Sequence, residues 1–189
     1  MLSLSPPLAV AVTLIVSLGL AQALVLSAHK HGHLTMDQPS GVQKFHQVPT
    51  PRVGGIAIYV AIVAAWLLLP GEAERRILAV VLLAGMPALF VGLVEDVTKR
   101  VTVRTRLLVT MGSGGLAAVL TGTGLTRLDI PAADMLLAMW PLAVLFTAFA
   151  VGGVANAINI IDGFHGLASG TVMISTLALA AIALSVGDT

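Results

Sequence analysis

Apolar positions along the chain gather into six long runs, at residues 6–28, 54–70, 77–94, 107–125, 135–155 and 167–186. Short polar stretches separate them. Each run is near the ~20 residues that a helix needs to cross the hydrocarbon core of a bilayer, and none has a charged residue inside it. The strict alternation of a membrane β-barrel strand is missing, so helices are the expected spanning element. Pro87, Gly112, Gly114, Gly115 and Pro141 fall inside the runs. Membrane helices tolerate such residues and pack closely through small ones. The pattern predicts an all-α, polytopic transmembrane helix bundle of about six spans, forming a single membrane domain over 1–189.

Composition agrees. The chain is 57% hydrophobic and 10% charged, with a mean hydropathy of +0.99. A soluble domain carries about 25% charged residues. The net charge of +1 excludes the basic field that a nucleic-acid partner requires. There is no cysteine, hence neither a disulfide framework nor thiolate chemistry. No Lys or Arg precedes the first apolar run, so that run reads as a retained span rather than a cleaved signal peptide.

Charge also orients the bundle. With six spans, residues 29–53, 95–106 and 156–166 share one face and carry seven Lys and Arg. The opposite face carries three, Arg75, Arg76 and Arg127. The positive-inside rule puts the first face in the cytoplasm and the N-terminus in the periplasm.

The polar residues with the most specific spacing lie on that cytoplasmic face. Glu95 and Asp96 adjoin Arg100, Arg104 and Arg106. Two readings stand here. One is a solvated helix end. The other is a carboxylate pair that binds a cation or takes a proton, beside cations for phosphate. Asn156, Asn159 and Asp162 are spaced by three, which places them on one face if helical, and Gly163 and Gly166 follow. Amide caps with a glycine stop are the plain explanation; oxygen ligands for Mg²⁺ are the functional one. In PTPRVGG, Arg52 stands at a helix start that suits an anion, or the segment is simply a rigid loop before a close-packed helix. His46 beside Lys44 is a further candidate. His29, His31 and His33 read as juxtamembrane decoration rather than a metal tract.

Taken in order, Asp37-x-Pro39, Lys44-x-His46, PTPRVGG, GLVEDVTKRV and NAINIIDGFHGL resemble the polyprenyl-phosphate N-acetylhexosamine-1-phosphate transferases. That family, glycosyltransferase family 4, includes the muramoyl-pentapeptide transferases. The likeness is greatest to the branch that initiates O-antigen and teichoic-acid chains, in cell-wall and lipopolysaccharide biosynthesis. The resemblance implies transfer of a sugar-1-phosphate from a UDP-sugar to undecaprenyl phosphate, with release of UMP and with Mg²⁺ or Mn²⁺ as cofactor. It implies Asp96 and Glu95 as the catalytic acid pair and Asn159 as a metal ligand. Gly163 and His165 then lie in the nucleotide stretch. Lys44, His46, Arg52, Arg104, Arg106, Asn156 and Asp162 are the remaining nucleotide and phosphate candidates. The implied partners are the UDP-sugar, undecaprenyl phosphate and membrane lipid, with a homodimer also admitted. The implied location is the bacterial inner membrane.

This chain departs from the family pattern in two places. Glu95 stands where the first acid is usually Asp, and His165 where the second acid of the DGxDGL motif is expected. Family members have about ten or eleven spans, so the chain reads as the N-terminal part of a longer domain and is expected to be inactive alone. The alternative is a non-catalytic polytopic protein, a transporter half or an assembly partner, which would place polar groups or broken helices at mid-membrane.

Overall fold

The computed structural model describes residues 6–28, 36–37, 50–51, 54–161 and 166–187. Among them are seven helices: α1 (Pro6–Leu26), α2 (Gly54–Leu68), α3 (Glu72–Thr98), α4 (Val103–Thr121), α5 (Pro131–Leu137), α6 (Trp140–Ile161) and α7 (Leu167–Ser185). Between α1 and α2, β1 (Met36–Asp37) pairs antiparallel with β2 (Thr50–Pro51), with Met36 opposite Pro51. The protein is thus a polytopic helical bundle, and all helices but α5 follow the six apolar runs. Four of them, α1, α3, α6 and α7, are long and apolar enough to cross a membrane by length and composition. At 15 residues α2 is shorter, about 22 Å at 1.5 Å per residue; Pro70 closes it.

Neighbours in sequence are neighbours in space. α1 packs on α2, α2 on α3, α3 on α4 and, most extensively, α4 on α6, while α7 touches α6 only lightly. The buried set is unlike a soluble core. It consists largely of small residues, among them Ala57, Ala61, Ala84, Ser113, Ala118 and Ala143, and among the described residues no large side chain is fully buried. Large apolar side chains such as Phe90, Leu108, Phe149 and Ile174 face outward. Water would oppose that arrangement and lipid accepts it, because helices in hydrocarbon gain from close backbone approach rather than from hiding leucine. Two cross-helix hydrogen bonds fix α2 against α3: Tyr59 Oη donates to the Leu82 carbonyl at 3.0 Å, and Trp66 Nε1 to the Arg75 carbonyl at 3.0 Å. The Arg75 guanidinium lies over the Trp66 ring, 5.6 Å from its centroid.

The element boundaries differ from the sequence expectation where polar residues were expected to end helices. α3 starts at Glu72, so Arg75 and Arg76 are helical, and it continues past the apolar run to Thr98. Its acids Glu72 and Glu74 favour the first turn through the helix dipole. The stretch expected as a loop from 95 to 106 shrinks to Lys99–Thr102. Lys99 takes the left-handed conformation (φ 55°) and its N–H returns to the Glu95 carbonyl at 2.8 Å. Thr102 caps α4, its hydroxyl accepting from Thr105 N at 3.1 Å. The fifth apolar run is split: α5 begins with a proline in its first turn, the chain breaks at Ala138–Met139, and α6 then carries on through Asn156 and Asn159 to Ile161.

Candidate active site

Three helix ends meet at one end of the bundle. α3 brings Glu95 and Asp96 on its last turn, α4 brings Arg104 and Arg106 on its first, and α6 brings Asn156 and Asn159 on its last two. The α3 acids sit at the negative end of their helix, where a carboxylate costs about 0.3–1 kcal/mol. Arg106 offsets this. Its Nη1 donates to Glu95 Oε1 at 2.7 Å, and the two side chains are only 18% and 23% exposed.

Arg106 also faces the other way. With Leu107, Thr110, Ala155, Asn156 and Asn159 it lines a cleft of about 100 Å³ between α4 and α6. The Oδ1 of Asn156 is buried and has no hydrogen-bond partner among the described residues. A buried amide oxygen without a donor costs free energy, so it is a position prepared for a donor or a cation. Asn159, one turn further, is exposed at the mouth.

Arg104 is exposed and does not line the cleft. Lys44, His46, Arg52, Asp162, Gly163 and His165 lie outside the described residues. Thr110 belongs to no motif, and its signal is its spacing of four from Arg106, which puts both on one face of α4. Its hydroxyl donates to the Arg106 and Leu107 carbonyls at 3.0 and 2.9 Å, so it shapes the cleft wall with its polar atom already satisfied.

Among the described residues no three of His, Cys, Asp and Glu gather into a metal cluster. The donor set that is present, amide oxygens with an acid nearby, suits a hard cation that keeps several of its waters and shares an anionic ligand. The Arg106 guanidinium on the same cleft suits an anion that such a cation would share.

The chain is a member of glycosyl transferase family 4, whose family model matches residues 78–189. It is 32% identical, over 80% of its length, to a Bacillus subtilis protein described as a probable undecaprenyl-phosphate N-acetylglucosaminyl 1-phosphate transferase. It is 31% identical over 95% of its length to the phospho-N-acetylmuramoyl-pentapeptide-transferase of Desulfitobacterium hafniense. A third relative is the decaprenyl-phosphate N-acetylglucosaminephosphotransferase of Mycobacterium leprae, 32% identical over 71% of the chain. The chain spans 41%, 56% and 35% of the lengths of these three relatives. No solved structure matches it.

Proposed function

We propose that the protein works in the transfer of an N-acetylhexosamine-1-phosphate from a UDP-sugar to undecaprenyl phosphate. A phosphate oxygen of the lipid attacks the β-phosphorus of the UDP-sugar. The bond from that phosphorus to the bridging oxygen breaks, and UMP leaves with the bonding pair. The observation that carries this reading is the joint lining of one cleft by Arg106, Asn156 and Asn159 beside the Glu95–Asp96 pair. A guanidinium suits a phosphate oxygen in its planar fork. The amide oxygens suit Mg²⁺, or Mn²⁺, with Asn159 as the ligand at the mouth and Asn156 behind it. When bound, such a cation neutralises charge that develops on the pyrophosphate. Asp96 holds the lipid phosphate or takes its proton.

The Lys and Arg bias supports a cytoplasmic location for this face, in the inner membrane of a bacterium, where the lipid head group and a soluble nucleotide can meet. The test is UMP release from UDP-N-acetylglucosamine and undecaprenyl phosphate by protein purified in detergent from its complete reading frame. Mg²⁺-dependent release that Asp96→Asn lowers about a hundredfold supports the reading. Release that is indifferent to Asp96→Asn and to Asn159→Ala overturns it.

A further inference from the structure

The acid pair does not present two equivalent carboxylates. Adjacent residues on a helix project about 100° apart, so Glu95 and Asp96 face different surroundings. Glu95 reaches across the turn between α3 and α4, and its Oε1 is taken by Arg106 at 2.7 Å. Among the described residues, Arg106 is in turn the only charged one on the cleft that holds Asn156 and Asn159. We propose that Glu95 is the positioning residue of Arg106 rather than a reacting carboxylate. The proposal deepens the transferase reading and rests on it for the identity of the substrate.

The physical case has three parts. A guanidinium carries five N–H groups in a rigid planar fork, so fixing one nitrogen fixes where the rest point. Holding Nη1 on Glu95 therefore sets the direction of the donors left for the cleft. Both side chains are largely buried, so the pair is screened less than a surface pair and stays populated. Lastly, glutamate outreaches aspartate by one methylene, roughly 1.5 Å. Glu95 uses that reach to span the turn to the arginine.

The variants are Glu95→Gln, Glu95→Ala and Asp96→Asn, made in protein from the complete reading frame. Two readouts are taken: KM and kcat for UMP release from UDP-N-acetylglucosamine, and the rate at which phenylglyoxal labels Arg106, followed by mass spectrometry. Glu95→Ala is expected to raise KM about tenfold with a smaller change in kcat, as for lost binding energy. Glu95→Gln keeps an acceptor oxygen and recovers most of that loss. Asp96→Asn lowers kcat instead. Arg106 labels several-fold faster in Glu95→Ala, and at the wild-type rate in Asp96→Asn. If Glu95→Gln loses kcat as Asp96→Asn does, Glu95 is a reacting group and the proposal is overturned. If wild-type protein releases no UMP, the transferase reading fails while the labelling arm still decides the pairing. Labelling of Arg106 that is unchanged in Glu95→Ala overturns the positioning role either way.

Discussion

Gly114 of α4 sits directly against Val151 of α6: a Cβ placed on Gly114 would fall 2.6 Å from the Val151 Cβ. One turn towards the cleft, a Cβ on Gly152 would collide with Met111. The two helices can approach closely only because these positions lack side chains, and that approach brings Arg106 and Asn156 onto one cleft. Gly112, by contrast, has open space around it. Gly114→Ala is therefore expected to destabilise the protein by about 1–3 kcal/mol through overpacking. Gly112→Ala should be neutral or slightly stabilising. Unfolding of purified protein in mixed micelles with increasing SDS distinguishes them. Equal effects of the two substitutions would mean that the crossing is looser than described.

The turn between α3 and α4 depends on Thr102. Its hydroxyl accepts from Thr105 N and lies 2.9 Å from the Thr105 hydroxyl. Thr102→Ala is expected to cost about 1 kcal/mol, fraying the first turn of α4, which carries Arg104 and Arg106. Thr102→Ser keeps the cap and should restore stability. The same SDS titration measures both. A Ser variant as weak as the Ala variant would show that the hydroxyl is not the operative group.

Much of the architecture is legible in the sequence, because lipid imposes a length and a polarity on each span. Residues 77–94 had to be helical. That α3 runs on to Thr98 was less visible, since Glu95, Asp96 and Thr98 read as loop until Arg106 is seen to compensate the acid at the helix end. The break at Ala138–Met139 is hidden for a similar reason: apolar residues continue straight through it. For the site, spacing by three was enough to associate Asn156 with Asn159, and both do line one cleft. The partner of Glu95 was not legible. An acid beside four basic residues in sequence has several candidate partners, and only the turn at Lys99–Thr102 selects Arg106 over Arg104.

Topology gives a third prediction. The chain has no cysteine, so single replacements can be labelled without background. Arg100 is exposed at the α3–α4 turn, and Asp129 is exposed on the opposite connection, where it pairs with Arg127 at 2.7 Å. That surface pair contributes little, so its loss should leave the fold intact. An impermeant maleimide added to intact spheroplasts is expected to label Asp129→Cys and to spare Arg100→Cys until the membrane is opened. The reverse order would invert the bundle and put the cleft on the outside.

Metal dependence gives the last prediction. Asn159 is exposed at the cleft mouth, while the Asn156 Oδ1 is buried without a partner among the described residues. An amide oxygen is a weak ligand on its own, and Mg²⁺ gives up its waters reluctantly, so neither asparagine can hold the ion without a shared phosphate. Binding of metal and of UDP-sugar should then be coupled and reciprocal. EDTA is expected to abolish UMP release, and added Mg²⁺ to restore it. Asn159→Ala should raise the Mg²⁺ concentration for half-maximal release about tenfold or more, with a smaller effect at saturating Mg²⁺. Asn159→Asp supplies a charged oxygen at the same place and should lower that requirement relative to Ala. Asn156→Ala removes an unsatisfied buried oxygen along with any ligand role. It should therefore gain stability in the SDS titration while losing activity, a pairing of effects that a purely structural asparagine would not give. The titration to run is UMP release against Mg²⁺ at several fixed UDP-N-acetylglucosamine concentrations. A Mg²⁺ requirement unchanged by Asn159→Ala, or independent of the nucleotide sugar, would remove the cleft from the metal's path.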